Sequence, residues 1–174
     1  MAKYSRKRVY RKKAKWSANI QELLNTGLTA SPGTFSGTTT LATNPTQNTL
    51  GVSQIFTCKN FAVDFTIESD THWSLEGITA YIMFVPQGMN VSQDYNIQHP
   101  EYIMNYKYLG SPTGTGTSTA AEVQQYQPFR LRSRLSRKLN TGDSVVLFIK
   151  GLNQGSSNIT FNLSGIIRWS TKAN

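Results

Sequence analysis

Alternating apolar and polar residues run through the middle of the chain and predict β-strands. Between residues 53 and 69, every second position of one stretch is a large apolar side chain: Phe61, Val63, Phe65 and Ile67. A period of two places these side chains on one face of a half-buried strand. Further apolar runs between turn residues predict an edge strand at 35–43 and strands at 75–85, 129–139, 144–150 and 159–171.

Two segments show helical spacing instead. Three apolar residues would share one face of a short helix over residues 16–25: Ile20, Leu23 and Leu24. Ser17 is a suitable N-cap for that helix, although a first strand beginning in this segment is the alternative. Residues 98–106 predict a second short helix with Pro100 in its first turn.

These elements together indicate an all-β protein. Turn signals separate six to eight predicted strands, and the chain is rich in Thr, which fits a pleated, half-buried surface. The connections differ in length, and one contains a helix, which favours a jelly roll over an immunoglobulin-like sandwich. We predict a single jelly roll, an eight-stranded antiparallel β-sandwich, over residues 16–174, with the low-complexity stretch 113–119 as an exposed loop.

Charge divides the 174 residues into two parts. The formal net charge is +9, but residues 16–174 hold ten basic and nine acidic residues. The excess lies in residues 1–15, which have no acidic residue and eight basic ones: Lys3, Arg6, Lys7, Arg8, Arg11, Lys12, Lys13 and Lys15. Because like charges repel, we predict that residues 1–15 form a disordered basic arm.

The basic arm is suited to binding a polyanion. Eight cations contacting phosphates of a single strand would give a salt dependence of log K with a slope of about −6. Three aromatic residues lie among the cations or just beyond them and can stack on bases: Tyr4, Tyr10 and Trp16. We predict largely non-specific nucleic-acid binding. The alternatives are a solubilising tail or a nuclear-localisation signal alone.

A second basic cluster lies in the predicted strand 129–139. It consists of Arg130, Arg132, Arg134, Arg137 and Lys138. On a strand, the first three would project from one face about 6.6 Å apart, a spacing similar to that of phosphates along an extended single strand. The cluster would then face nucleic acid. The alternatives are an edge strand protected by charge or arginines paired with acids of a neighbouring subunit. Outside the two basic clusters the chain is net acidic. We therefore predict that one face of the protein contacts nucleic acid and that another face does not.

No arrangement for catalysis, metal binding or cofactor binding is predicted. His72 and His99 lack metal or catalytic spacing, and the single cysteine, Cys58, is expected to be a small buried hydrophobe. We therefore predict a protein that is not an enzyme and has no cofactor. The longest uncharged apolar run, residues 78–86, is too short to span a bilayer, and no signal peptide is evident, so we predict no membrane insertion.

Three segments following the arm resemble a known family. They are AYIMFVPQGM (80–89), QHPEYIMNYKYLGSP (98–112) and RLRSRLSRKLNTGDSVVLFIKG (130–151). They resemble the small capsid proteins of circular, Rep-encoding single-stranded DNA viruses, the circovirus-like group. The resemblance implies a T=1 icosahedral shell of about sixty copies, with the arms pointing inward onto packaged circular DNA. It also implies a virion protein with external loops at 89–96 and 111–121. The Lys/Arg clusters of the arm predict a nuclear import receptor as a further partner, and hence assembly in the host nucleus. The resemblance does not identify a host-cell receptor.

Two other classes of protein are weighed against a capsid protein. A cellular nucleic-acid-binding protein with a β-sandwich body would usually spread its basic residues over that body. A carbohydrate-binding jelly roll with a basic tail would need an aromatic cleft, and the sequence alone shows no clustered surface Trp or Tyr with paired acids. The separation of a cationic arm from a nearly neutral body favours the capsid hypothesis.

Overall fold

The computed structural model of the chain describes residues 15–44, 55–69, 75–110, 124–125 and 128–173. The strands within these ranges are β1 (Ser17–Ala30), β2 (Gly33–Thr43), β3 (Phe56–Ser69), β4 (Leu75–Val85), β5 (Ile103–Gly110), β6 (Gln124–Gln125), β7 (Phe129–Ser133), β8 (Arg137–Leu139), β9 (Ser144–Asn153) and β10 (Ile159–Ala173). One helical turn, α1 (Tyr95–Gln98), and a 3-10 turn (Pro100–Tyr102) precede β5. The predicted loop 113–119, His72 and arm residues 1–14 lie outside the described residues.

Two antiparallel sheets carry these strands. Sheet I has the order β1-β10-β3, and β6, β7 and β8 all pair with the free side of β3. Those three strands pair with successive parts of β3, so they form one interrupted edge strand. Sheet II has the order β2-β9-β4-β5. Counted this way there are eight strand positions, and the first strand lies beside the last, as in a jelly roll. The predicted eight-stranded antiparallel jelly roll is confirmed.

The inner faces of the two sheets form the core. Phe35 of sheet II meets Phe161 of sheet I edge-on, with ring centroids 5.7 Å apart. The alternating set predicted in β3 points into this core and is at most 2% exposed: Phe61, Val63, Phe65 and Ile67. β4 covers residues 75–85 as predicted, and β2 is an edge strand of sheet II, also as predicted.

The helix predicted over residues 16–25 is wrong, and the alternative of a first strand is correct. β1 pairs with β10 along its length, from Ser17 opposite Thr171 onward. Leu23 is buried, whereas Ile20 and Leu24 are 69% and 74% exposed, so the three apolar side chains do not share one buried face. Pairing with a distant strand therefore outweighs the local helical spacing.

The helix predicted over residues 98–106 is correct only at its start. Pro100 begins a 3-10 turn, but the chain enters β5 at Ile103. α1, which lies upstream, packs Tyr95 against the outer face of sheet II, where the Tyr95 hydroxyl donates a hydrogen bond to the Phe84 carbonyl at 3.3 Å. Burial raises the pKa of Tyr95 to about 12. The segment 89–102 thus covers part of sheet II.

Candidate nucleic-acid interface

The outer face of sheet I collects basic side chains from three strands. Ala62 of β3 is flanked by Arg168 of β10 and Arg132 of β7. Residues opposite each other in antiparallel strands project from the same face, and the neighbours of Ala62 in sequence point into the core. The same registers place six basic residues on the outer face, which we call the basic face: Lys59, Arg130, Arg132, Lys138, Arg168 and Lys172.

Asp64 holds two of these arginines in place. Its carboxylate accepts a hydrogen bond from Arg130 Nε at 2.5 Å and a second from Arg168 Nη2. Partial burial raises the pKa of the Asp64 carboxyl, but hydrogen bonds and charge from the two arginines outweigh that effect and hold the pKa below its usual value. Since one carboxylate faces two guanidiniums, the cluster keeps a net positive charge.

Replacing Asp64 with Asn should weaken folding slightly while strengthening nucleic-acid binding. The folded-state pKa lies below the unfolded value, so the ion pairs stabilise the fold at pH values above the unfolded pKa. This contribution is lost as the pH falls through the lowered pKa. We expect Asp64→Asn to cost about 0.5–1 kcal/mol at neutral pH, because the arginines are largely exposed. Thermal unfolding at pH 7 and pH 3 measures the cost, and it should be smaller at pH 3. Unchanged affinity for oligo-dT would contradict a role for this cluster in binding.

The root of the arm lies against the same face. Trp16 immediately precedes β1, and Lys59 Nζ lies 3.8 Å from the centroid of its indole ring. A cation over an indole face is attracted by the ring quadrupole, which holds the chain here. Lys15, the last basic residue of the arm and the only one described, is exposed. The described end of the arm therefore lies beside the basic face, although the two are far apart in the sequence.

The predicted line of three arginines at 130–134 does not form. The edge strand is interrupted between β7 and β8, so Arg134 lies in the exposed segment 134–136, where Leu135 is 52% exposed. Arg137 instead donates a hydrogen bond to the Glu101 carbonyl at 2.5 Å.

The five residues of the cluster therefore differ in their surroundings. The Arg137 guanidinium also lies over the Phe84 ring, so it has a structural role. Arg130 pairs with Asp64 of its own chain, not with a neighbouring subunit. Arg132 and Lys138 are exposed on the basic face, and the assignment of this group to nucleic acid stays a prediction.

Sequence reasoning missed half of the basic face. Lys59, Arg168 and Lys172 stand apart from one another in the sequence and from both basic clusters. Only the pairing of β10 with β3 brings them beside the 130–138 group. The alternation of apolar and polar residues does predict that Arg168 points outward, because it follows the buried Ile167. It does not predict which charged residues lie beside Arg168 on the neighbouring strand.

The outer side of sheet II has the opposite balance. Its acidic groups are Glu76, Asp94 and Glu101. Lys150 and Asp94 neutralise each other at 2.8 Å, so the acidic excess consists of Glu76 and Glu101. Lys107 lies at the β5 edge, 5.7 Å from the Phe129 ring centroid. The described part of the body is therefore polarised, with a basic face on sheet I and a net acidic surface on sheet II.

Charge removal from the two sides should have different effects. The double substitution Arg132→Gln and Lys138→Gln should reduce the salt slope of oligo-dT binding by about 1.4, since each phosphate contact contributes about 0.7. The control, Lys107→Gln with Lys150→Gln, removes the same charge from two positions outside the basic face. Fluorescence-anisotropy titrations across a salt series measure both slopes. Equal reductions would contradict the assignment of the basic face.

The described residues offer little other chemistry. No group of three or more His, Cys, Asp or Glu side chains suited to a metal ion occurs within the described ranges. Cys58 is fully buried as predicted, and burial raises the pKa of its thiol to about 11, so the thiol is protonated at neutral pH. His99 contacts Glu101 at 3.2 Å in an exposed turn. None of the described helices is long and apolar enough to cross a membrane.

The chain is similar to solved viral structures at low identity. It matches neither a protein-family model nor a curated protein. The VP2 subviral particle of infectious bursal disease virus gives a TM-score of 0.45 at 11% identity, covering 90% of this chain and 33% of that one. Desmodium yellow mottle tymovirus gives 0.37 at 10% identity (93% and 90% covered), and empty-head turnip yellow mosaic virus gives 0.34 at 13% (97% and 87% covered). The chain thus spans about a third of the VP2 chain it matches. TM-scores and identities at this level do not transfer function to it.

Proposed function

We propose that the chain is a viral capsid protein that self-assembles into a small icosahedral shell and packages single-stranded circular DNA. The observation that carries the proposal is the polarity of the body. The basic arm begins beside the basic face of sheet I, while the surface of sheet II is net acidic. A protein that only binds nucleic acid needs a basic patch, but a shell needs an inner and an outer surface of different charge.

In this proposal residues 1–15 form the packaging arm, and residues 16–174 form the shell wall. Sheet I faces the genome, and sheet II faces outward. Sixty arms of eight charges would bring about 480 positive charges inside, enough to offset much of a small genome's phosphate charge. The resemblance of segments 80–89, 98–112 and 130–151 to circovirus-like capsid proteins supports this assignment. The arm's Lys/Arg clusters also suit a nuclear import receptor, so we place assembly in the host nucleus.

Exposed groups on strand β1 support self-association. β1 is an edge strand of sheet I, so one side of its backbone has no partner strand within the described sheet. Ile20 and Leu24 are largely exposed on this strand, and Glu22 is its single charged residue. Edge strands in monomeric proteins are usually protected by charge or by covering elements. Pairing of a second copy of the chain with this edge would satisfy the free backbone groups of β1.

Electron microscopy of the purified full-length protein tests the proposal. After nuclease treatment, we expect particles of about 20 nm that retain nucleic acid, seen as an elevated ratio of absorbance at 260 nm to that at 280 nm. A monomer or dimer that binds DNA without forming particles would overturn the capsid proposal in favour of a cellular nucleic-acid-binding protein. Particles free of nucleic acid would overturn packaging by the arm.

A further inference from the structure

A groove on the outer side of sheet II combines apolar, aromatic and hydrogen-bonding groups. It has a volume of about 410 Å³ and lies between α1 and the strands β2, β4 and β9. Its lining includes Tyr81, Asn96, Ile97, Lys150 and Leu152. This volume falls within the usual range for small-ligand sites, which are mostly apolar with a few placed polar groups. The groove is on the side of the body opposite the basic face.

A bulge in strand β4 shapes the floor of the groove. The register between β4 and β9 shifts between Glu76 and Thr79. Gly77, which lies in this bulge, has a φ of +60°, and a Cβ built there would meet no atom within 4 Å. The floor therefore opens toward solvent at this point. Bulges of this kind are frequent beside binding sites because they redirect the strand locally.

The charged groups of the groove are already neutralised or bonded. Lys150 Nζ lies 2.8 Å from Asp94 Oδ1, and Glu76 Oε2 accepts a hydrogen bond from Gln154 Nε2 at 2.5 Å. In contrast, Asn96 Oδ1 is shielded from solvent and has no hydrogen-bond partner among the described residues. A shielded polar atom without a partner is costly, and rotation of the Asn96 amide into the groove lets a bound ligand satisfy it. The site therefore suits an uncharged hydrogen-bonding ligand better than an anion.

Three tyrosines extend the site along the sheet. Tyr81 lines the groove, and its ring centroid lies 5.9 Å from that of Tyr106, its partner on β5. Tyr108 is opposite Thr79, another lining residue, and is 64% exposed. Tyr106 is 62% exposed, while Tyr81 rests on the buried Phe148 at 5.8 Å. Tyrosine rings with exposed faces and hydroxyl groups offer both an apolar platform and hydrogen bonds.

We infer that this groove binds a neutral saccharide. A pyranose has apolar C–H faces that fit tyrosine rings, and hydroxyl groups that can donate to Asn96 Oδ1 and bond to the polar rim. The clustered surface aromatics that the sequence did not reveal are thus assembled by the pairing of β4 with β5. On a shell with sheet II outward, the site would contact glycans of a host surface. The inference concerns a face that the proposed packaging function does not use.

Saturation-transfer NMR of the full-length protein tests the inference. The probes are methyl β-galactoside, methyl α-mannoside, N-acetylglucosamine and lactose. We expect at least one of them to show saturation transfer, with a dissociation constant of about 1 mM, as is usual for a ligand of this size. No transfer from any of the four probes would overturn the inference. Oligo-dT binding measured on the same preparation tests the proposed function separately, because DNA binding does not depend on this groove.

Two variants locate the binding site. Asn96→Ala removes the unpartnered carbonyl, and Tyr108→Ala removes a largely exposed ring that the fold does not need. Each should weaken saccharide binding by about tenfold while leaving the salt slope of oligo-dT binding unchanged. The control, Arg132→Gln on the opposite face, should leave saccharide binding unchanged. Wild-type saccharide affinity in folded Tyr108→Ala protein would overturn the inference, even if Asn96→Ala failed to fold.

Discussion

Deleting residues 1–15 should remove most of the salt dependence of single-stranded DNA binding. The arm carries eight basic residues, and each cation that contacts a phosphate contributes about 0.7 to the slope of log K against log salt. The full chain should show a contribution of about −6 from the arm and about −3 from exposed cations of the basic face. The truncated chain should keep only the smaller part. Fluorescence anisotropy with labelled oligo-dT between 50 and 200 mM salt, the interval over which such slopes are resolved, measures the difference.

Two full-length variants separate charge from sequence. An arm with all eight Lys and Arg replaced by Gln should bind like the truncated chain. An arm with the same residues in scrambled order should bind like the natural chain, because an extended arm has no fixed geometry for reading base edges. A truncated chain with the full slope would contradict the account, as would a scrambled arm that lost binding.

Replacing Gly165 with Ala should be the most destabilising of the single substitutions considered. Gly165 lies on β10 opposite Phe65 of β3. A Cβ at Gly165 would be 2.1 Å from the Asp64 carbonyl oxygen and 2.6 Å from Phe65 Cα, both backbone atoms of the central strand. Neither can move without disturbing the ladder between β10 and β3. We expect a loss of about 3 kcal/mol or more, which lowers the melting temperature by about 6–12 °C.

Gly27 provides the matched control for this substitution. It lies on the adjacent strand β1, opposite Asn162, and a Cβ there would be 3.5 Å from the nearest atom, an ordinary contact. Gly27→Ala should therefore leave the melting temperature nearly unchanged or raise it slightly, since Ala orders more readily than Gly. Differential scanning calorimetry of both variants makes the comparison. A melting temperature for Gly165→Ala equal to that of Gly27→Ala would contradict the close approach of β10 to β3.

The sequence predicts the parts of the fold that depend on local alternation. β3 and β4 are examples, since one buried face of each imposes a period of two that no helix would show. β1 was ambiguous because Ile20, Leu23 and Leu24 fit a helical stripe as well as a strand. Pairing with β10, more than a hundred residues away, favours the strand over the helix. The local spacing of apolar residues carries no information about that partner strand.

The candidate nucleic-acid interface likewise has one part that the sequence predicts and one part that depends on strand pairing. The basic arm is visible in the sequence because its charges are consecutive. The basic face is not, because Lys59 and Arg168 become neighbours of Arg132 only through the register of three strands. Pairing also changes what a predicted residue does. The sequence predicts that Arg130 faces phosphates, protects an edge strand or pairs with an acid of a neighbouring subunit, but Asp64 of the same chain lies directly opposite it on β3.

The sequence also does not predict the interruption between β7 and β8. Residues 129–139 alternate well enough to predict one continuous strand, yet the chain leaves the ladder after Ser133 and returns at Arg137. Ser133 is buried, and its hydroxyl donates a hydrogen bond to the Met104 carbonyl of β5, which ties this edge of sheet I to the edge of sheet II. β7 ends at the residue that makes this contact between sheets, and nothing in the alternation of residues signals it.

Photo-cross-linking of single-stranded DNA tests the central claim most directly, because the two faces of the body carry different aromatic residues. Full-length protein would be irradiated with an oligonucleotide containing 5-bromouracil and mapped by mass spectrometry. We predict cross-links in the arm at Tyr4 and Tyr10, at Trp16 beside Lys59, and in peptides of the basic face. Tyr106 and Tyr108 on sheet II should stay unmodified, although both are well exposed. Cross-links concentrated on those two tyrosines, with none at the arm or at Trp16, would contradict the account.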